Sequence, residues 1–227
     1  MKEKILETIE LKKDFKSPSG ETLNVLRGVN FSVSSGETVS IVGASGSGKT
    51  TFLHIIGLLD KPTDGRVTYF GSSLDGLKDS ELADFRNKNI GFIFQMHYLL
   101  PEFNALENAT MPLIIRGVSR DEAVERAVEL FEKVKLKNRL YHKPGQLSGG
   151  EQQKVSLIRA FIGEPKIILA DEPTGNLDKK NAFLIAELFI ELNELKNTAL
   201  VMVTHNEEIA RMMKRVCKID DGVLKNI

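Results

Sequence analysis

Residues 43–50 read Gly43-Ala44-Ser45-Gly46-Ser47-Gly48-Lys49-Thr50, which matches G-x-x-x-x-G-K-[S/T] at every position. The run just before, Thr38-Val39-Ser40-Ile41-Val42, is short, apolar and β-branched, as a buried strand requires. The stretch just after, Thr51 to Leu59, reads as a helix stopped by Asp60-Lys61-Pro62. Strand, glycine loop and helix in that order leave few folds open. The glycines let the main chain wrap around an anion, the amides turn inward, and the helix N-terminus adds positive partial charge. A nucleotide's phosphates fit such a loop, with Lys49 on the β- and γ-phosphates and the Thr50 hydroxyl on Mg²⁺. A merely flexible glycine loop would explain neither the lysine and threonine nor the flanking elements.

The rest of the chain fits that start. The first third reads as strands and turns: Leu23 to Val33 is apolar-rich and broken by Gly28 and Gly36, and Gly65 to Gly71 follows an Asp64-Gly65 turn. Ser119-Arg120-Asp121-Glu122 has the spacing of a capping box, with apolar residues at helical intervals behind it. Further helices are expected over Glu151 to Phe161 and Asn181 to Leu195. Ile167 to Ala170 and Thr198 to Thr204 read as buried parallel strands. This alternation predicts an α/β fold: a mainly parallel sheet, an N-terminal antiparallel β part and a helical block. We expect one domain over 1–227, with the helical subdomain, about 96–160, inserted in the α/β core.

Composition narrows the classes. Lysine plus arginine equals aspartate plus glutamate at 31 each, so no basic surplus points to nucleic acid. The lone cysteine, Cys217, excludes an internal disulfide framework and reads as a small residue beside a late strand. The N-terminus, Met1 to Glu7, is charged and lacks the apolar run of a signal peptide. No segment has the ~18 apolar residues of a bilayer span, so any work at a membrane needs another polypeptide to do the spanning. No zinc-type ligand spacing is present.

Lys166-Ile167-Ile168-Leu169-Ala170-Asp171-Glu172 is an apolar strand ending in two carboxylates. In an α/β sheet that end lies beside the ligand crevice. Asp171 is placed to hold Mg²⁺, and Glu172 to orient or deprotonate an attacking water.

Leu147-Ser148-Gly149-Gly150-Glu151 resembles the signature of the ABC ATPases, which has glutamine where Glu151 stands. Serine and two glycines before a helix make a second anion site. The resemblance covers nearly the whole chain and implies the fold, the ATPase activity and the site. It implies that Phe15 stacks on adenine, that residues 43–51, from Gly43 to Thr51, hold ATP, and that Ser148, Gly149, Gly150 and Glu151 act on ATP held by a second copy. Gln95, after Ile90-Gly91-Phe92-Ile93-Phe94, matches the glutamine that touches Mg²⁺ and senses the membrane partner. Gly175-Asn176-Leu177-Asp178 matches the loop that links the two sites, and His205 matches the histidine on the γ-phosphate. Thr50, Gln95 and Asp171 are thus the implied Mg²⁺ residues, and Lys49, Gln95, Glu172 and His205 the catalytic set.

Met96 to Asn108 and Ala170 to Asp178 are similar to ATPases of bacterial lipoprotein release. Macrolide-exporter and FtsE-type cell-division ATPases are the alternatives. All imply integral membrane permease subunits as partners and a place on the cytoplasmic face of the bacterial inner membrane. A DNA-repair relative would carry a long coiled coil, and no sustained heptads occur here. Ribosome-acting relatives join two ATPase units in one chain, and this chain has one.

Overall fold

The computed structural model describes residues 3–18 and 20–227. Of the charged N-terminal stretch, Met1 and Lys2 lie outside the described residues. Two long strands open the chain, β1 (Lys4–Lys16) and β2 (Thr22–Ser34), followed by β3 (Thr38–Val42). Then come α1 (Lys49–Ile56), β4 (Asp64–Tyr69), β5 (Ser72–Ser73), α2 (Asp79–Asn89) and β6 (Ile90–Phe94). Three helices follow, α3 (Ala105–Ile115), α4 (Arg120–Lys133) and α5 (Gly149–Phe161). The chain closes with β7 (Ile167–Asp171), α6 (Lys179–Lys196), β8 (Ala199–Val203), α7 (Glu207–Ala210), β9 (Arg215–Asp220) and β10 (Val223–Asn226).

Two sheets result. The N-terminal one is antiparallel with order β2-β1-β4-β5. The second has order β10-β9-β3-β8-β7-β6 and is parallel except for the β9–β10 hairpin at its edge. Side chains alternate faces along a strand, and that period sorts the core. On β7 and β8, Ile167, Leu169, Val201 and Val203 pack with α1 and the antiparallel sheet. Ile168, Ala170, Leu200 and Met202 pack on the other side with α3 to α6. The central strands are buried on both faces, which is why they read as continuous apolar runs.

Several elements differ from the sequence reading. β2 continues through Gly28, which has φ 88°, but the register against β1 slips there, since Leu11 pairs with Val29 and Lys12 with Arg27, as at a β-bulge; a second slip lies between Thr8 and Leu11. α2 has no buried residue, so it carries no apolar stripe to read. α3 contains Pro112, which masks its periodicity. Ser119 does cap α4 by accepting from the Glu122 amide, but the Glu122 carboxylate bonds Arg126 rather than closing a box. Cys217 is buried within β9, with Asn226 of β10 as its neighbour. No helix among the described residues is long and apolar enough to cross a membrane.

Candidate functional site

β3 delivers the glycine loop to the carboxyl edge of the sheet. Gly43 passes so close to β9 that a Cβ there would lie 2.4 Å from the Ile219 carbonyl. Gly48 caps α1 at φ 100°, where a Cβ would lie 2.9 Å from the Val25 carbonyl. Gly48 has no side chain to cap this helix, so the cap leaves its first amides open to a ligand. Lys49 is buried, and its ammonium donates to the carbonyls of Gly43 at 2.9 Å and Ala44 at 2.8 Å. Ser47 keeps a buried hydroxyl without a hydrogen-bond partner among the described residues.

β7 and β8 end beside this loop. Asp171 accepts from the Thr50 hydroxyl at 3.3 Å. Burial pushes the Asp171 carboxyl above its ordinary range, against the pull of the Thr50 bond. Glu172 takes a left-handed φ of 46°, held by its amide donating to the Val203 carbonyl at 2.9 Å. A left-handed turn costs a non-glycine residue about 1–2 kcal/mol. It aims the carboxylate across the cleft, where Oε2 lies 2.9 Å from His205 Nδ1 and accepts from the His205 amide at 3.3 Å. Gln95 closes the side: its amide donates to Asn176 Oδ1 at 3.2 Å, and the Asn176 amide donates back to the Gln95 carbonyl at 3.0 Å.

These groups meet in one cleft of about 490 Å³, lined by Val25, Ser45, Gly46, Gly48, Lys49, Thr50, Thr51, Gln95, Glu172 and His205. Gly43 and Ala44 form the back of the loop and face a neighbouring hollow that shares His205. Phe15 does not line the cleft; it is exposed on β1 with the Lys13 ammonium 5.0 Å from its ring centre. Val25 is the contribution of the antiparallel sheet, and one apolar residue within a strand carries no signal of such a role.

The glycines before α5 sit elsewhere. Ser148, Gly149, Gly150 and Glu151 line a separate hollow of about 310 Å³ with Asn176, Asp178 and Asn181, and no residue is common to both. Ser148 and Glu151 form a complete capping box: the hydroxyl accepts from the Glu151 amide at 3.3 Å and the carboxylate from the Ser148 amide at 2.8 Å. The segment after Gln95 is tied to α5. Arg159 donates to the carbonyls of His97 and Tyr98, both at 2.7 Å. Tyr98 has φ 45° and an exposed side chain, and Asn108 bonds the Leu100 amide and the carbonyls of Leu100, Phe103 and Asn104.

A parallel sheet, a phosphate-type loop between strand and helix, and an acidic strand end facing both define a nucleotide-binding cassette. The second helix that opens on glycines, α5 behind its Ser148 cap, adds the mark of one subgroup. The chain belongs to the ABC transporter family, whose model matches residues 26–175. It is 51% identical over 219 residues, 96% of each chain, to the lipoprotein-releasing system ATP-binding protein LolD of Geobacter metallireducens. The LolD of Idiomarina loihiensis is 46% identical, over 99% of this chain and 98% of that one. Among solved structures, the dimeric bacterial ABC transporter cassette MJ0796 superposes with a TM-score of 0.89 at 41% identity, covering 97% of both chains. Its dimeric post-hydrolysis state with ADP and Pi gives 0.90 at 40% identity, covering 98% of both.

Proposed function

We propose that this chain is the ATP-binding and ATP-hydrolysing subunit of a bacterial ABC transporter that releases lipoproteins from the inner membrane. The observation that carries the ATPase reading is the single cleft that gathers Lys49, Thr50, Gln95, Glu172 and His205. The lipoprotein branch is supported by the likeness to the LolD proteins over nearly the whole chain.

In this reading the amides of residues 43–51 and the Lys49 ammonium bind the phosphates, and Lys49 exchanges the Gly43 and Ala44 carbonyls for phosphate oxygens. Phe15 offers its exposed ring to adenine from β1. Thr50, Asp171 and Gln95 form an all-oxygen donor set close together, which suits Mg²⁺, a cation that keeps several waters and needs few protein ligands. No cluster of three or more His, Cys, Asp or Glu that could hold a metal by itself occurs among the described residues. Bound there, Mg²⁺ supplies charge neutralisation on the phosphates. Glu172 orients the attacking water and accepts its proton, and His205 holds Glu172 and stabilises charge on the γ-phosphate.

Ser148, Gly149, Gly150 and Glu151 belong to a different hollow, so they complete the site of a second copy. Two chains thus enclose two ATP molecules. A membrane subunit docks beside the segment that follows Gln95, where Phe94, Tyr98, Met111, Pro112 and Ile115 line a mostly apolar groove. The chain works at the cytoplasmic face of the inner membrane, held there by that subunit.

Mild-detergent pull-down of the tagged chain from native membranes tests the branch. Recovery of a multi-span subunit with a large periplasmic domain, together with lipoproteins, is the expected result. A different permease would move the branch to the exporter or division type. Glu172→Gln tests the chemistry: nucleotide binding persists and turnover falls by about 100-fold or more, the scale of a general base. Normal turnover would remove Glu172 from that role.

A further inference from the structure

The signature end of α5 carries a carboxylate, and negative charge there opposes the binding of a phosphate. Glu151 is the third residue of the helix, within one turn of the Gly149 and Gly150 amides. The Ser148 amide and the Arg139 guanidinium beside it hold the Glu151 carboxyl below its ordinary range, so it stays ionised near neutral pH. A phosphate approaching those amides would meet that charge within a few ångströms, where like charges repel.

Arg139 answers it. The residue ends a short 3₁₀ turn, Lys137–Arg139, and its Nε donates to Glu151 Oε1 at 3.0 Å. Its Nη1 lies 3.3 Å from His142 Nε2, which fixes the guanidinium from the other side. Lys154, one turn further along α5, also lines the hollow, but its ammonium donates to the Val134 carbonyl at 3.0 Å instead of pairing with Glu151. Among the described residues Arg139 is the one cation ion-paired with Glu151. The carboxylate is thereby shared: one oxygen caps the Ser148 amide and the other faces a positive charge.

We propose that Arg139 is a positioning residue for ATP hydrolysis, which neutralises and orients Glu151 so that the N-terminus of α5 can receive the polyphosphate of ATP held by a second copy. This rests on the paired reading above. Arg139 lets the ionised Glu151 serve as a cap whose charge is balanced within the pair. Without it, the same side chain turns the anion site against its ligand.

The test uses the full chain carrying Glu172→Gln, which retains ATP, and reads ATP-driven pairing by sedimentation. Arg139→Ala in that background should weaken pairing by about tenfold or more, the scale of one uncompensated charge at a helix N-terminus. Adding Glu151→Gln to Arg139→Ala should restore pairing to within about threefold, because the charge to be cancelled is gone. Arg139→Lys keeps the charge and should lose much less than the alanine variant. Binding of a fluorescent ATP analogue by each unpaired chain verifies folding and the phosphate loop separately. Two results would overturn the proposal: undiminished pairing by Arg139→Ala, or a double variant as weak as Arg139→Ala alone. If the Glu172→Gln parent itself stays monomeric with ATP, the paired reading fails and Arg139 loses its role with it.

Discussion

Two helices in this molecule begin with glycine and serine, and they are built for different purposes. At the start of α1 the glycines are demanded by the chain itself. Gly48 is left-handed, and a Cβ on Gly43 or Gly48 would press into the Ile219 or Val25 carbonyl. At the start of α5 nothing among the described residues asks for glycine. A Cβ on Gly149 would meet only Leu177, at 3.8 Å, and one on Gly150 only Asn181, at 3.9 Å. Neither has a positive φ. Glycine in a helix costs stability relative to alanine, so two uncompensated glycines suggest that something outside the chain needs the flat surface. The capping differs in the same sense. α1 has no side-chain cap, whereas α5 is capped by Ser148 and Glu151. In the proposed reading the first end receives the phosphates of the chain's own ATP, and the second is offered to the ATP of another copy.

The largest expected effect breaks the receptor half of that comparison. Lys49→Ala removes the buried cation at the loop and should lower ATP affinity by about 100-fold or more, since a charge-assisted contact to phosphate is among the stronger polar interactions. Equilibrium binding of ATP measures it, and unchanged affinity would take Lys49 away from the phosphates. Next is Ser148→Arg, which places a bulky side chain on the prepared surface. ATP binding by one chain should stay within about twofold while pairing and turnover fall by about tenfold or more, the reverse of the Lys49→Ala pattern. Sedimentation with ATP reads the difference, and intact ATP-driven pairs would contradict the two-chain site.

A smaller effect concerns how α5 follows its surroundings. Arg159 grips two successive carbonyls with one guanidinium, and one of them belongs to the left-handed Tyr98. Lysine cannot span both with the same fork. Arg159→Lys should leave ATP binding intact and reduce stimulation of turnover by the membrane subunit about fivefold, near 1 kcal/mol of lost coupling. Amides 97–100 should exchange faster in the isolated chain. Unchanged exchange would mean that Arg159 does not tie this segment to α5.

Much of this was legible in the sequence, for physical reasons. The strand–loop–helix around residues 43–50 is local, so its spacing alone reports it. β3, β7 and β8 are buried on both faces, and their apolar runs mark them within one or two residues. The convergence of Thr50, Asp171, Glu172 and His205 follows from parallel strands all ending at one edge. Other features were hidden because they depend on side chains brought together from a distance. The pairing of Arg139 with Glu151, the clamp of Arg159 on His97 and Tyr98, and the exchange between Gln95 and Asn176 have no spacing signature. Asn108 shows the same limit: it is buried in α3 yet organises the loop at 100–104, and a polar residue in that place reads as solvent-facing. The serine and glutamate three apart at 148 and 151 were a readable signal of the capping box, obscured by the stronger resemblance at the same residues.

The smallest effect tests the comparison most directly, because it separates what the chain needs from what its partner needs. Gly149→Ala fits the backbone and the space around it, so the isolated chain should become more stable by about 0.5–1 kcal/mol. For a chain of this size that corresponds to a melting shift of about 1–4 °C upward. The same methyl group would stand on the surface offered to the second copy, so pairing and turnover should fall although the fold has improved. Substitution of the α1 glycine, Gly48→Ala, should do the opposite to the fold, because a left-handed cap and the Val25 carbonyl both reject a Cβ. Thermal melts of the two variants beside the parent decide the matter. If Gly149→Ala melted lower, the α5 glycine would be a requirement of the chain's own fold, and the contrast between the two helix ends would disappear. If it melted higher and turned over ATP normally, the flat surface would have no occupant, and the two-copy site would lose its support in the geometry of α5.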